Sequence, residues 1–396
     1  MRGGRVMHQV ERERLLNDAD AFCRALRPHE DRCYLERRFN DRLVPLAREH
    51  DLLGITVPTA YGGRGADTVT ACRALARIGR EGTGVRTFFS GHSSIGQGPI
   101  LAWGTEEQKR AFLPASARGD LLCAFGLTES EAGSNPREMR MTYRRRGDEF
   151  VLDGEKYLIS NGGIADLVVT FAYPEGGTGR ISAFLVETHG PGLTRESIGP
   201  KVGNPTADTA RIALEGYAIP AANLLGAEGD GLSIAMSALV GGRLSVAAGC
   251  LGVIEDCLDE AASYARSRRQ HGKPIGRHQL VQAHVAAIEM ARLTTEALMV
   301  KAAEAKDASD RDCRDGTLAA RADLLAAQAK LHASRAAWEA SDHAVQVFGG
   351  RGFLETFRPG RHLQDSRVTR IYEGTDEILT LKVAAAILGK EYEAFQ

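Results

Sequence analysis

The chain reads as an α+β fold, mostly helical, with a helical domain over residues 1–122, an antiparallel β domain over 123–228 and a helical bundle over 229–396. Three observations carry that expectation. Apolar residues recur at three- and four-residue spacing up to Leu122, short β-rich runs separated by glycine and proline take over from Cys123, and the helical period returns after Gly231 and persists.

In the first domain Leu15, Ala19, Phe22 and Leu26 share one helix face, Leu43, Leu46 and Ala47 mark a second helix, and Pro58 and Gly62-Gly63 interrupt the pattern. The middle domain offers three runs, Phe150-Val151-Leu152, Leu167 to Phe171 and Ser182 to Val186. Asp153-Gly154, between Val151-Leu152 and Lys156-Tyr157, predicts a hairpin turn. In the last domain Val246, Cys250, Ile254 and Leu258 form one stripe, and Leu280, Val285, Ile288, Met290 and Leu293 a second. Leu324 to Val347 is an alanine-rich third that lets helices pack closely. No internal repeat or low-complexity linker divides the chain.

Bulk properties narrow the function classes. With 396 residues, 43% hydrophobic and 26% charged, the composition is that of a soluble globular protein with a large core. A net charge of -1 gives no footprint for nucleic acid or an anionic membrane, and Arg144-Arg145-Arg146 reads as a solvated turn. Seven scattered cysteines (Cys23, Cys33, Cys72, Cys123, Cys250, Cys257, Cys313), without CxxC or Cys/His ligand spacing, fit a reducing cytoplasm and argue against a metal site. Met1 to Met7 carries positive charge with no apolar segment behind it, and no stretch reaches the roughly 18 apolar residues of a spanning helix. The expectation is a cytoplasmic protein, neither exported nor inserted.

Three segments stand out chemically. In Arg370 to Leu379, Glu373 sits between Tyr372 and Gly374 just before a helix running from about Asp376 to Leu388, with Thr375 as its cap. Apolar cover from Tyr372 raises the pKa of such a carboxylate, which makes it a candidate base; alone, the segment also fits a solvated loop. Phe125 to Asn135 supplies small residues, hydroxyls and backbone donors suited to the edge of a polar planar ligand, and Lys156 to Gly163 is a strand ending in a turn with the Ser160 hydroxyl. No GxGxxG follows a strand, Gly349-Gly350-Arg351-Gly352 having the wrong spacing, and neither a P-loop nor a GxSxG elbow is present.

Taken in order, these segments resemble the acyl-CoA dehydrogenase family of flavoproteins over essentially the whole chain. Gly54 to Pro58, Tyr61-Gly62-Gly63, Trp103 to Gln108, Thr128 to Asn135, Lys156 to Gly163, Arg268 to Lys273, Gln346 to Gly350 and Tyr372 to Thr375 carry the resemblance. It implies FAD held between the β domain and the bundle. Phe125, Leu127, Thr128, Gly133, Ser134, Leu158 and Ser160 would line the flavin, with Ser160 near N5. Arg268, Gln270, His271, Gln279, Gln346, Val347, Gly349 and Gly350 match positions that bind the adenine and pyrophosphate half on a neighbouring subunit, so a homodimer at least and a homotetramer by family habit is implied. Thr375 and Glu377 complete the FAD contacts. Ser134, Arg243, Tyr372, Gly374 and Arg86 fall at substrate positions, for an acyl-CoA or acyl-carrier-protein thioester, with an electron-transfer flavoprotein or another acceptor taking the electrons.

The implied chemistry is α,β-dehydrogenation: a carboxylate removes the acidic α-hydrogen while the β-hydrogen leaves as hydride to the flavin. Glu373 is the base. In some branches the base precedes the arginine matched by Arg243, and here that position is Gly242. Three features depart from the family pattern: Leu158 replaces a tryptophan, His271 a phenylalanine, and Val240-Gly241-Gly242 stand where CoA-using members often place polar residues. A carrier-protein-specific dehydrogenase of secondary metabolism and a flavin monooxygenase on the same fold are the alternatives. Arg86 lies near where glutaryl-CoA dehydrogenases hold the distal carboxylate of their substrate; from its own residues it reads as a surface or helix-capping arginine.

Overall fold

The structure, a computed structural model, describes residues 7–177 and 179–392; the charged start at Met1 to Val6 lies outside them. The first helix, α1 (Gln9–Glu36), turns its predicted face inward, with Leu15, Ala19, Phe22 and Leu26 fully buried. After α2 (Leu43–Glu49) the chain is interrupted around Pro58 to Gly63, and α3 (Thr68–Gly79) starts on the Asp67 carboxylate, which accepts the Thr70 N–H at 2.7 Å. Then α4 (Thr83–Phe89) runs through a π-helical segment, Ser90–Gln97, into α5 (Gly98–Trp103). A π-helical stretch widens the turn by one residue and is commonly found at functional sites. Thr105 and Gln108 form a capping box for α6 (Glu106–Arg118).

Eight strands follow: β1 (Cys123–Gly126), β2 (Thr142–Arg146), β3 (Glu149–Ser160), β4 (Leu167–Pro174), β5 (Ser182–Glu187), β6 (Leu193–Ser197), β7 (Thr209–Pro220) and β8 (Leu224–Leu225). Their order is β6-β7-β3-β2-β4-β5-β8, with β1 beside β4; pairing is antiparallel except for the parallel β1–β4 and β2–β4 contacts.

Two expectations are corrected here. Asp153-Gly154 is not a turn: β3 runs straight through it, and Gly154, at φ 137°, forms a bulge where the register with β7 shifts. The reversal is at Gly147, φ 62°, between β2 and β3. Arg144-Arg145-Arg146 is accordingly strand rather than turn, solvated because its side chains project outward, where Arg144 pairs with Asp153 and Arg146 with Glu149.

The bundle consists of α7 (Gly231–Ser267), α8 (Gln279–Arg311) and α9 (Gly316–Phe348), with a two-residue-turn hairpin of β9 (Arg269–Gln270) and β10 (Lys273–Pro274) between the first two, then α10 (Arg358–Ser366) and α11 (Asp376–Leu388). Val246, Cys250 and Ile254 of α7 are fully buried. By length and composition α7 could cross a membrane, but 83% of its most apolar window is buried inside the protein, so it is the core helix of the bundle. Helices of the first and last domains share one hydrophobic core. At their crossing, a Cβ on Gly79 would lie 2.7 Å from the backbone of Gly249, so only glycine allows α3 and α7 to approach this closely.

The second predicted stripe of the bundle is also corrected. Leu280, Val285, Ile288, Met290 and Leu293 are spaced by five, three, two and three residues, which at 100° per residue wraps around the helix instead of lining one face. Ile288 enters the core, whereas Leu280, Met290 and Leu293 face outward. The outward row of α8 reads Ala283, Ala286, Met290, Leu293, Ala297, all exposed at alternating three- and four-residue spacing.

Candidate active site

The turn before α11 is built from two residues in unusual conformations. Glu373 has φ 57° and Gly374 φ 98°, and Thr375 then caps α11 by accepting the Ile378 N–H at 3.2 Å. Two cations hold the carbonyls of this turn. Arg243 Nε donates to the Glu373 carbonyl at 3.2 Å, and Lys330 Nζ donates to the Gly374 carbonyl at 2.6 Å. Arg243 is itself fixed through Nη1 to Asp323 at 2.7 Å, so it orients the turn and leaves its fork little freedom for a substrate.

Glu373 as a residue is half-buried, but its Oε2 is out of water and has no hydrogen-bond partner. A Cβ at Gly242 would lie 2.5 Å from Glu373 Oε1, so the carboxyl occupies the space that any side chain at 242 would fill. Loss of water pushes its pKa up to about 7, with Arg243, Arg86 and Lys330 pulling the other way. The reading of Glu373 as a solvated loop residue is thereby overturned. Asp376, three residues on, is the opposite case. Burial disfavours its charge, but hydrogen bonds from Arg370 at 2.7 Å and Arg335 at 3.0 Å hold it below the usual carboxylate range.

Arg86 is neither a surface residue nor a cap. It is 1% exposed, because the absence of a side chain at Gly249 leaves its aliphatic stem a slot against α7. Its Nη2 donates to the Tyr372 hydroxyl and to Thr87 Oγ1, its guanidinium lies 5.2 Å from the Tyr372 ring centre, and its Nε has no partner. Among the described residues no carboxylate pairs with it.

Strand β1 packs on the π-helical segment, where a Cβ on Gly96 would lie 2.5 Å from the Cys123 Cβ, and the stretch from Phe125 to Ser134 leads away from it. Phe125 is buried, Leu127 and Thr128 are half-buried, and Gly133 and Ser134 are exposed. Beneath them Lys156 and Glu129 form a buried ion pair at 2.7 Å. Glu129 also accepts the N–H groups of Arg140 and Met141, and the Tyr157 N–H donates to the Thr128 carbonyl at 2.8 Å. The loop is thus tied to β3, which ends at Ser160. Leu158, at φ 58°, is 52% exposed. The hydroxyls of Thr128, Ser134 and Ser160 have no partner among the described residues, and nothing lies within 4 Å of a Cβ placed on Gly133. Open hydroxyls, a bare glycine and an exposed aliphatic side chain on a rigid edge fit a planar ring with polar margins, as a flavin has. The π-helical segment joins this edge to the base. A Cβ on Gly91 would be 3.6 Å from the Ser160 carbonyl, and one on Gly241 3.6 Å from the Ser94 carbonyl.

The remaining predicted contacts are not gathered with these within one chain. Arg268, Gln270, His271, Gln279, Gln346, Gly349 and Gly350 are exposed at the hairpin and the adjoining helix ends, with His271 at φ 49° in the tight turn. Val347 is a correction, since its side chain packs in the core and only its backbone could reach a ligand. Glu377 is exposed in the first turn of α11. Sequence reasoning missed Lys330. The signal was available: a lysine in line with Ala326, Ala333 and Ala337 breaks an otherwise apolar face.

Open hydroxyls on a rigid edge and a carboxyl with a raised pKa suit an oxidoreductase that takes hydrogen from carbon. The chain belongs to the acyl-CoA dehydrogenase family: the family's N-terminal, middle and C-terminal domains match residues 9–120, 124–217 and 229–388. An acyl-CoA dehydrogenase of Bacillus subtilis is 39% identical over 353 residues, covering 89% of this chain and 90% of the relative. A glutaryl-CoA dehydrogenase from Mycobacterium smegmatis, solved in complex with FADH2, superposes with a TM-score of 0.89 at 29% identity, covering 100% of this chain and 98% of that one. The prolyl acyl carrier protein oxidase AnaB superposes with a TM-score of 0.88 at 29% identity, covering 96% and 99%. FAD is the cofactor of this family, and the reaction class is oxidation of a CH–CH bond.

Proposed function

We propose that the chain dehydrogenates an acyl thioester between its α and β carbons, with Glu373 as the base. The single observation that supports this most is the buried Glu373 Oε2 without a hydrogen-bond partner, held over the bare backbone of Gly242. A carboxylate in water is too weak to remove a proton α to a thioester; one stripped of water and left unpaired has its basicity raised. Bound FAD supplies a two-electron acceptor for the β-hydrogen. Glu373 takes the α-proton on its free oxygen. Tyr372 keeps water from the carboxyl, Arg243 and Lys330 fix the turn that aims it, and the hydroxyls of Thr128, Ser134 and Ser160 hold the polar margin of the cofactor. Arg268, Gln270, His271, Gln279, Gln346, Gly349 and Gly350 would hold its other half from a second copy of the chain.

That second copy is supported by the exposed row Ala283, Ala286, Met290, Leu293, Ala297 on α8, whose alternating three- and four-residue spacing suits a packed helix pair. A homo-oligomer, dimer or tetramer, would cover it. Arg86 supports a narrower reading of the acyl group. A buried guanidinium that no carboxylate pairs with among the described residues favours an anionic group at the far end of the acyl chain.

Anaerobic mixing of the FAD-loaded protein with acyl-CoA and acyl-carrier-protein thioesters, with and without a distal carboxylate, tests these readings. Bleaching of the flavin without oxygen is expected, fastest with the carboxylated chain, and the panel also decides the carrier. No bleaching with any thioester, together with oxygen consumption in the presence of a reductant, would instead favour the monooxygenase.

A further inference from the structure

Lys330 has a place in the site that neither packing nor ion pairing accounts for. It lies on α9, a helix whose buried face is mostly alanine and carries no other charge, and it is 0% exposed. Among the described residues no carboxylate pairs with it. Its one hydrogen bond, 2.6 Å to the Gly374 carbonyl, falls on the residue immediately after Glu373. Burying an ammonium without a counter-ion is costly, and a lysine that served only to fill space there would be replaced favourably by an apolar residue of similar shape.

The geometry points to Lys330 as a positioning residue for Glu373. The turn needs an external hold, since Glu373 occupies the left-handed region at φ 57°, which a residue with a Cβ adopts only under constraint. Arg243 holds the Glu373 carbonyl and Lys330 the next one, so two successive peptide groups are clamped from α7 and α9. Toward this turn both donors bond only the backbone, Arg243 giving its Nη1 to Asp323, and Glu373 Oε2 is left without a partner. The carboxylate is therefore aimed without being quenched, while the ammonium charge nearby favours its ionised form through space. The other charged or titratable groups around the pair are Arg243 and Cys250 on α7, Arg86 on α4, and Tyr372 and Asp376 on either side of the turn. Burial lowers the pKa of Lys330 to about 8, so the ammonium persists through neutral pH.

This rests on Glu373 being the base, and the test separates the two. Infrared difference titration of the carboxyl stretch, parent against Glu373→Gln, reads the protonation of Glu373 with no thioester present. In Lys330→Gln, which can still donate to the Gly374 carbonyl but carries no charge, the midpoint should rise by up to about one unit. Lys330→Met removes both charge and hydrogen bond. It should show the same rise and, in addition, flavin reduction slowed about 10-fold or more in the loaded protein, with Lys330→Arg restoring both. Parental flavin reduction at an unchanged midpoint in folded, FAD-loaded Lys330→Met overturns the inference. A raised midpoint in a protein whose Glu373→Gln variant still reduces flavin would leave Lys330 coupled to Glu373 and remove Glu373 from its role as base. If Lys330→Met fails to fold, Lys330→Leu, which also lacks both charge and hydrogen bond, takes its place in both measurements.

Discussion

Gly242 and the carboxyl of Glu373 occupy one space: a Cβ at 242 would come within 2.6 Å of the Glu373 Cδ. The two positions are therefore mutually exclusive as sites for a side chain. Gly242 is not merely a place where another base is missing; its bareness is what lets Glu373 reach inward from α11 to α7. Gly242→Ala should consequently displace the carboxyl while leaving the fold and the flavin site intact. Misplacement by about 1 Å costs on the order of 100-fold in a proton transfer, so flavin reduction should slow by about that factor at unchanged FAD content. Reduction at the parental rate in a folded, yellow Gly242→Ala protein would contradict the arrangement.

Glu373 ties activity and stability to pH in opposite senses. As a base it must be ionised, so kcat/KM should rise with pH and level off near 7, the value to which burial lifts it. The folded-state pKa is raised above the unfolded value of 4.5. Below 4.5 the group is neutral in both states and costs nothing; between 4.5 and about 7 the unfolded chain releases the proton first, and stability falls. At about 1.4 kcal/mol per unit, the loss above pH 7 is at most about 3 kcal/mol. Glu373→Gln should abolish reduction, by about 100-fold or more, and should gain stability over the parent at pH 8 relative to pH 5. Thermal midpoints at the two pH values check the second part; an equal difference at both would refute it.

Much of this was legible in the sequence, and the reason differs by element. The helix periods of α1 and α7 survive because a buried face must repeat at 3.6 residues. The limits Asp376 and Leu388 of α11 follow from the Thr375 cap and from Gly389. Asp153-Gly154 misled because the same glycine chemistry serves a bulge and a turn, and only the β7 partner decides between them. Arg86 was misjudged because an arginine is buried only when a distant glycine, here Gly249, opens a slot for it, and such contacts across more than a hundred residues leave no local pattern. The apolar row on α8 was blurred by scoring large residues alone, when three of its five members are alanine.

Arg86→Gln tests the acyl-chain reading. With a thioester bearing a distal carboxylate, kcat/KM should fall by about 100-fold, the usual cost of removing one partner of a buried charge pair. With an uncharged chain of equal length it should hold or improve. Equal loss on both thioesters would reassign Arg86 to supporting Tyr372, whose hydroxyl it contacts.

The Lys156–Glu129 pair under the flavin loop makes a prediction independent of the chemistry. Lys156 is 1% exposed and Glu129 6%, and Glu129 also accepts two backbone N–H groups. Lys156→Met strands that carboxylate, which should cost about 3–5 kcal/mol and loosen FAD. The double replacement Lys156→Met with Glu129→Leu should recover part of the loss. Denaturant titration of the three proteins checks the order; a single variant as stable as the parent would show that the pair is dispensable.

The last prediction concerns assembly. Met290 and Leu293 are exposed at 59% and 45%, so replacing both with glutamate removes no core contact within one chain and should not lower the stability of an isolated subunit. If α8 packs against a second copy, however, facing carboxylates across the seam repel and the assembly separates. FAD should be lost in the same step if, as proposed, Arg268, Gln270 and Gln346 hold the cofactor of a neighbouring chain. Size-exclusion chromatography with light scattering and the flavin absorbance of each peak measure both effects together. An oligomer left intact would show that α8 is not the seam, and a monomer that keeps its flavin would show that one copy suffices.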